Sequence, residues 1–263
     1  MSSQEKQVWL ITGASSGFGL QLALRALAAG QHVIGTVRSS AGPSASAVHQ
    51  LTSAGGHVLE LDMTHPQAAI HEVVALQYRT NVYGPLFTTQ AVLPGMRARR
   101  RGCVVNVSSA AGQDAGAARG LYGGSKFALE GLTEALRAEV AEFGVAVLLV
   151  EPGLFRTNFF RALRTPAAPL PEAYRDGSAV SGALDAFAAL ADGTGGGDPS
   201  KAADRIYEVV AGEGLAGHLR GKVLRLPLGM DAVERVEAKQ RSVLAEVAEA
   251  RKLEEQQSTA LAS

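Results

Sequence analysis

The chain has 263 residues, with 25 Lys and Arg against 25 Asp and Glu, so its formal net charge at pH 7 is zero. A hydrophobic fraction of 46% beside 19% charged residues excludes a disordered protein, and the length suits a domain with a large core. Neutrality argues against nucleic acid or an anionic membrane as the main partner. A single cysteine, Cys103, predicts a reducing, cytoplasmic compartment. No apolar run reaches the ~20 residues of a membrane span, and the histidines lack metal-ligand spacing, so we expect neither a membrane span nor a metal site.

Short apolar runs alternate with stretches of helical periodicity through the first half of the chain. The predicted strands are 8–11, 32–37, 58–61, 103–107 and 145–150, and the predicted helices are 20–29, 66–76, 79–99 and 122–143. This alternation indicates an α/β fold, a doubly wound parallel sheet with helices on both faces, in a single domain over 1–263. Further along, the sequence predicts loops at 39–46, 165–171 and 192–199, a helix at 199–210, a strand at 222–228 and a C-terminal helix at 231–255. That last helix suits either a partner surface or a solvated face.

A glycine-rich turn joins the first predicted strand to the first predicted helix, with the sequence TGASSGFG at 12–19. Glycines at 13, 17 and 19 permit positive φ and let the backbone approach a ligand closely. The amides that open the following helix then face a pyrophosphate, assisted by the helix dipole. The turn therefore predicts a dinucleotide site, and the alternative is a plain glycine-rich turn.

The second predicted strand ends in Gly35-Thr36-Val37-Arg38, without a carboxylate. In dinucleotide-binding sheets an acidic residue at this point binds the ribose 2′-hydroxyl of NAD, whereas an arginine accommodates the 2′-phosphate of NADP. Arg38 can form a forked pair with a phosphate, so the sequence favours NADP(H). The alternative is an ordinary surface arginine.

Tyr122 and Lys126 are four residues apart on a predicted helix and so share one face. An ammonium group near a phenol stabilises the phenolate and lowers its pKa, which suits general acid–base chemistry. Ser109 ends a predicted strand, where α/β sheets place their ligands. Together with the upstream glycine loop, these residues predict an active site.

These segments resemble the short-chain dehydrogenase/reductase family, over about the first 160 residues and in the family's order. The matching segments are TGASSGFG at 12–19, LDMT at 61–64, NVYG at 81–84, VVNVSS at 104–109, YGGSK at 122–126 and EPGLFRT at 151–157. The resemblance implies a Rossmann-like sheet. It also implies that Ser109 polarises the substrate carbonyl and Tyr122 donates or accepts its proton. Lys126 would hold the nicotinamide ribose and lower the pKa of Tyr122, and Asn81 would hold a water of the proton relay.

The resemblance further implies a set of cofactor contacts, with Asp62 at the adenine and the segment 152–157 at the nicotinamide. The expected contact residues are Gly13, Ser15, Ser16, Gly17, Phe18, Gly19, Arg38, Asp62, Asn81, Tyr122, Lys126, Pro152, Gly153, Phe155 and Thr157. The stretch KFALEGL at 126–132 is similar to the branch that acts on lipophilic ketones and alcohols. Residues 158–200 are expected to form the variable substrate loop. Phe155, Phe159, Phe160 and Leu163 either line an apolar substrate pocket or pack beneath a mobile loop.

The chain departs from the family between LDMT and NVYG, where the family has a strand ending in NNAG. Asp62 and Asn81 are only 19 positions apart, and a predicted helix uses most of them. A crossover needs about a dozen residues and a strand about five more, so the junction at Gln77–Arg79 has no room for that strand. We therefore expect a sheet lacking one central strand. Either the 103–107 strand closes the gap beside the first strand, or the chain loses stability. A crippling deletion, an incomplete gene model and a rearranged sheet all remain open.

The sequence thus predicts an NADP-dependent oxidoreductase that moves hydride between nicotinamide and the carbonyl or alcohol of a lipophilic small molecule. The alternative from a different class is a cofactor-binding but catalytically impaired relative that serves as a sensor or partner subunit. The intact Ser109, Tyr122 and Lys126 set favours the enzyme, and the lost strand favours the alternative. The family's usual homodimer or homotetramer is the expected assembly.

Overall fold

A computed structural model gives the fold and describes residues 6–61, 72–163, 169–191 and 195–261. The strands are β1 (Val8–Ile11), β2 (His32–Val37), β3 (His57–Glu60), β4 (Gly102–Val107), β5 (Val145–Pro152) and β6 (Arg225–Leu228). The helices are α1 (Gly17–Ala28), α2 (Ala45–Ser53), α3 (Glu72–Tyr78), α4 (Gly84–Ala98), α5 (Gly120–Val140), α6 (Ala179–Ala189), α7 (Pro199–Ala211) and α8 (Met230–Leu261). The alternation confirms the predicted α/β class. None of the described helices is long and apolar enough to cross a membrane.

The described strands form two parallel three-stranded sheets, with the orders β1-β2-β3 and β4-β5-β6. In the first sheet Leu10 is in register with Ile34, and in the second Val105 is in register with Leu148. Within the described residues β1 is hydrogen-bonded only to β2, and β4 only to β5. The expectation that β4 closes the gap beside β1 is therefore wrong for this structure. Among the described strands, β1 and β4 thus each keep one edge without a strand neighbour.

The junction at Gln77–Arg79 lies inside a continuous helical run. Helix α3 passes into a π-helical turn at Arg79–Tyr83, which leads directly into α4. Residues 72–98 therefore contain no strand, as the spacing predicts. The earlier part of the predicted 66–76 helix, like Asp62, lies outside the described residues.

One apolar core spans both sheets and so unites them in a single domain. Helix α7 contributes Ile206 and Tyr207, each at most 3% exposed, which pack with Trp9 of β1 and Val150 of β5. The rings of Trp9 and Tyr207 stack with centroids 5.6 Å apart. Burying such side chains stabilises the fold by about 1.5–3 kcal/mol each, so α7 connects the two sheets where their strands do not pair.

Several predicted elements need correction, and the strand predicted at 222–228 is only β6, Arg225–Leu228. Helix α1 begins at Gly17, inside the glycine loop and not at residue 20. Helix α2 was not predicted: it begins inside the loop predicted at 39–46 and continues to Ser53, and its buried apolar residues are only Ala47 and Leu51. The segment 158–200 is not a loop throughout, since its described part includes α6 and the start of α7.

Candidate active site

The glycine loop forms a cradle at the start of α1. Gly13 and Gly17 have φ values of 67° and 55°, which side-chain-bearing residues rarely adopt. A Cβ on Gly19 would lie 2.4 Å from the Gly13 carbonyl oxygen, so only glycine allows this close turn. Ser16 caps α1 without a side-chain hydrogen bond, and the first turn has no acidic residue. The opening amides of α1 therefore suit the pyrophosphate of a dinucleotide.

The segment after β5 lies against this cradle. The Cβ position of Gly17 is 3.7 Å from Thr157 Cγ2, and the rings of Phe18 and Phe155 meet edge to face with centroids 5.0 Å apart. The structure thus brings together the glycine loop and the 152–157 segment, which the sequence predicts to share one cofactor.

Asp231, in the first turn of α8, binds the backbone of the same segment. Its Oδ2 atom accepts a hydrogen bond from the Leu154 amide at 2.7 Å. A Cβ on Gly153 would lie 2.2 Å from that oxygen, so the carboxylate occupies space that only glycine leaves free. Sequence reasoning missed Asp231, because 77 positions separate it from Leu154.

At the end of β2, Arg38 is exposed and a carboxylate lies nearby. Glu60, the last residue of β3, accepts a hydrogen bond from the Ser40 amide at 2.7 Å. Hydrogen bonds from Ser40 lower the pKa of Glu60. The β2 sequence alone implied a strand end without a carboxylate, and the structure corrects this by placing Glu60 there. The parallel register that pairs Val37 with Glu60 brings this acid to the site.

Ser109, Tyr122 and Lys126 come together at the carboxyl end of β4. Ser109 precedes a short 3₁₀ turn, and its Oγ accepts a hydrogen bond from the Ala111 amide at 3.1 Å. Tyr122 lies in the first turn of α5, where the Ser109 side chain lowers the pKa of its phenol. The Lys126 ammonium lies 5.8 Å from the Tyr122 ring centroid and donates to the Val107 carbonyl at 2.9 Å.

Burial shifts the pKa values of Tyr122 and Lys126 in opposite directions. It raises the pKa of Tyr122, while the Ser109 side chain and then the charges of Arg119 and Arg235 lower it. Burial lowers the pKa of Lys126 to about 8, against the opposing charge of Glu130. At neutral pH the phenol is therefore protonated and the ammonium mostly charged, which is the state that donates a proton.

Asn81 lies in the π-helical turn and contacts α5. Its Nδ2 donates to Ser125 Oγ at 3.0 Å, and Ser125 Oγ donates to the Tyr122 carbonyl at 2.7 Å. Asn81 is therefore joined to the backbone of Tyr122 through one intermediate side chain. Its predicted part in a water relay stays a prediction.

Comparison with known proteins identifies relatives along most of the chain. The family model described as short chain dehydrogenase matches residues 7–77 and 67–168. The chain is 35% identical to a short-chain dehydrogenase from Streptomyces avermitilis, with a TM-score of 0.76 and coverage of 96% of this chain and 98% of that one. It is 37% identical over 181 residues to the 3-ketodihydrosphingosine reductase of Bacteroides thetaiotaomicron, covering 59% of this chain and 66% of that protein.

A third relative shares the fold at lower identity. The short-chain dehydrogenase/reductase of Burkholderia phymatum, solved in complex with NAD, is 20% identical with a TM-score of 0.72. The match covers 94% of this chain and 97% of that one. Among the described residues of this chain, no group of three or more His, Cys, Asp or Glu side chains is placed to hold a metal ion.

Proposed function

Because the chain belongs to the short-chain dehydrogenase family and is thus an oxidoreductase, we propose that it catalyses hydride transfer between NADP(H) and the carbonyl or alcohol of a lipophilic small molecule. The observation that carries this proposal is the meeting of Ser109, Tyr122 and Lys126 at the carboxyl end of β4, while the 152–157 segment after the neighbouring β5 contacts the glycine loop. The bound nicotinamide supplies or accepts the hydride. The residues of the chain bind, orient and move the proton.

In the direction of reduction, the substrate carbonyl oxygen accepts hydrogen bonds from the hydroxyls of Ser109 and Tyr122. Tyr122 then donates its proton to that oxygen as negative charge develops there. In the free protein the adjacent Ser109 side chain already lowers the pKa of the Tyr122 phenol. The Lys126 ammonium, next to the Tyr122 ring, adds positive charge on the same side.

The cofactor is expected to lie along the glycine loop with its pyrophosphate at the α1 N-terminus. Gly13, Gly17 and Gly19 make room for it, and the 152–157 segment with Gly153 and Thr157 faces the nicotinamide end. Arg38 supports NADP, because it is exposed at the end of β2, where a 2′-phosphate would lie. The negative charge of Glu60 disfavours NADP, so the preference between NADP and NAD depends on whether Arg38 or Glu60 lies nearer the 2′-phosphate.

The lipophilic substrate is supported by aromatic side chains next to Tyr122. The Phe159 ring lies 5.4 Å from the Tyr122 ring and 5.3 Å from the Phe160 ring, centroid to centroid. Phe159 is 44% exposed, so apolar surface remains open to a ligand beside the phenol. The name of the Bacteroides relative also points to a long-chain ketone.

A second candidate is a cofactor-binding protein with impaired catalysis. The observation that favours it is the division of the described strands into two sheets, with β1 and β4 unpaired at one edge. Misplacing catalytic groups by about 1 Å can cost roughly a hundredfold in rate. For either candidate we propose a homodimer or homotetramer in the cytoplasm.

One set of measurements separates the two candidates. The oxidation of NADPH and of NADH is followed with a panel of lipophilic ketones, and the affinity for each nucleotide is measured by fluorescence titration. Turnover with NADPH that Tyr122→Phe abolishes supports the reductase. Tight nucleotide binding without turnover of any ketone supports the impaired relative, and failure to bind either nucleotide contradicts both.

A further inference from the structure

Arg119 is an unpaired cation beside the candidate active site. It is the residue that precedes α5, three positions before Tyr122, and it is partly buried. Its Nε atom is inaccessible to solvent and has no hydrogen-bond partner. Within the described part of the chain it forms no ion pair. A buried donor without an acceptor is costly, so the side chain is suited to an acceptor that the protein itself does not supply.

The neighbouring acid does not neutralise Arg119, because another arginine binds it. Asp114 Oδ2 accepts from Arg235 Nε at 3.0 Å, and the Asp114 carbonyl accepts from Arg235 Nη2 at 2.9 Å. The charge of Arg235 also lowers the pKa of Arg119, with burial as the larger cause. Arg235 thus pairs with the carboxylate near these two guanidinium groups, and a net positive charge remains near Tyr122.

Apolar rings join Tyr122 to Arg119 on the side of the variable segment. From Tyr122 they run through Phe159 and Phe160 to Phe187 of α6, whose ring is 6.0 Å from that of Phe160. The Arg119 guanidinium carbon then lies 5.9 Å from the centroid of the Phe187 ring. The charge of Arg119 acts on the Tyr122 phenol, whose pKa it lowers, so Arg119 is within reach of a ligand bound at Tyr122.

We propose that Arg119 selects substrates in which an apolar body carries a carboxylate in addition to the reacting carbonyl. The inference rests on the proposed reductase function. The carbonyl lies at Ser109 and Tyr122, the body lies against the rings, and the carboxylate pairs with the free guanidinium. A planar fork of donors matches a carboxylate better than it matches a neutral ester.

The test compares a carboxylate substrate with its neutral methyl ester. NADPH oxidation is measured with 4-acetylbenzoate and with methyl 4-acetylbenzoate, for the wild-type chain and for Arg119→Gln. A charge-assisted hydrogen bond corresponds to about a 10- to 100-fold effect, so Arg119→Gln should lower kcat/KM for the acid by that factor. The ester should change by about threefold at most. Arg119→Lys should retain part of the preference for the acid.

Arg137→Gln is the matched control, since Arg137 is partly buried in the last turn of the same helix. It lies 18 residues beyond Arg119, about 27 Å along the axis, and should leave both substrates unaffected. An equal loss for acid and ester in Arg119→Gln would mean that the guanidinium acts through the Tyr122 pKa, and would overturn the proposal. Unchanged kinetics for both would overturn it as well.

A binding measurement keeps the proposal testable if catalysis fails. Calorimetric titration of the protein–NADPH complex with each probe gives the ratio of acid to ester affinities without turnover. A ratio that falls about tenfold or more in Arg119→Gln supports the inference even if the reductase function is wrong. Equal affinities of the wild-type chain for the two probes would contradict the inference while leaving the reductase proposal intact.

Discussion

Glu130 of α5 and Glu151 of β5 meet in the interior, where they are 4% and 0% exposed. Both accept from the side-chain amide of Gln113, at 2.9 and 3.2 Å, and both lie near Arg225 Nε, at 3.0 and 3.2 Å. Burial and the adjacent Glu130 charge raise the pKa of Glu151 to about 8, against the opposing charge of Arg225. The pair therefore holds a proton at neutral pH. It links the loop after Ser109, the helix of Lys126 and the strand that leads into Gly153.

This pair predicts a pH-dependent stability that Glu151→Gln removes. The folded-state pKa of Glu151 is raised from 4.5 to about 8, so between these values the folded chain binds more protons than the unfolded chain. The contribution of Glu151 to the free energy of unfolding therefore falls as pH rises through this window, by at most ~1.4 kcal/mol per pH unit. Urea unfolding from pH 5 to 8 should show this slope for the wild-type chain and a smaller one for Glu151→Gln.

Glu134→Gln is the control for that experiment. Glu134 also pairs with Arg225, at 2.8 Å, but its side chain is 55% exposed. Its removal should leave the wild-type slope in place, because solvent screens an exposed ion pair. Parallel pH profiles for the wild-type chain and Glu151→Gln would contradict the shared proton.

Tyr122→Phe should lower turnover by about 100- to 10,000-fold, the usual range for a lost general acid. Nucleotide affinity should stay nearly unchanged, since only one hydroxyl is removed. Steady-state NADPH oxidation and fluorescence titration measure the two effects. Tyr174→Phe, which removes the hydroxyl of a 52% exposed tyrosine, should affect neither. Substantial turnover by Tyr122→Phe would mean that another group donates the proton.

Arg38→Ala should weaken NADPH binding by ~1.5–3 kcal/mol, the range for a charge-assisted pair, with little effect on NADH. Glu60→Gln should act in the opposite direction, since it removes a negative charge near the expected 2′-phosphate. The dissociation constants of both nucleotides, determined for the two variants and the wild-type chain, check this prediction. Equal losses for NADPH and NADH in Arg38→Ala would show that Arg38 does not read the phosphate.

The sequence predicts features that depend on the spacing of residues along the chain. It does not predict contacts between residues that only the tertiary fold brings together. The four-residue spacing of Tyr122 and Lys126 indicates a shared helix face, and the structure brings both to the carboxyl end of β4. Glu60 reaches the Arg38 region only because β2 and β3 pair in one register, and no periodicity in either strand encodes that register. Likewise, the sequence does not distinguish Arg119 from any other charged residue that precedes a helix. Only the structure shows that the nearby Asp114 pairs with Arg235 instead.

Gly153→Ala should displace the segment expected to bind the nicotinamide, because its Cβ would meet the Asp231 carboxylate at 2.2 Å. We expect weaker NADPH binding and at least about tenfold lower turnover, since small misplacements of a binding segment are costly in rate. Adding Asp231→Ala relieves the clash, so the double variant should lose less than the two single variants predict together. Additive losses in this double-mutant cycle would mean that the carboxylate does not limit residue 153.

The final prediction concerns the unpaired edges of β1 and β4. Within the described residues no strand lies between the two sheets, and Val8 and Leu10 of β1 are 68% and 38% exposed. Each apolar side chain left exposed at such an edge forgoes about 1.5–3 kcal/mol of burial, and a domain has only about 5–15 kcal/mol of stability. We therefore expect the chain to be poorly stable or weakly active. A family-like strand segment inserted between Gln77 and Tyr78 should pair with both edges and raise stability and turnover.

Melting temperature and NADPH oxidation with lipophilic ketones test this for the chain with and without the insert. A gain of about 2 kcal/mol corresponds to roughly 4–8 °C in a domain of this size, so we expect a rise of that order. An insert of equal length made of Gly and Ser lengthens the junction without supplying a strand, and it should leave the melting temperature unchanged or lower it. The strand insert must therefore exceed this control in both measurements. High thermal stability and rapid turnover of the uninserted chain would instead mean that the two sheets, connected through α7, suffice for a working reductase.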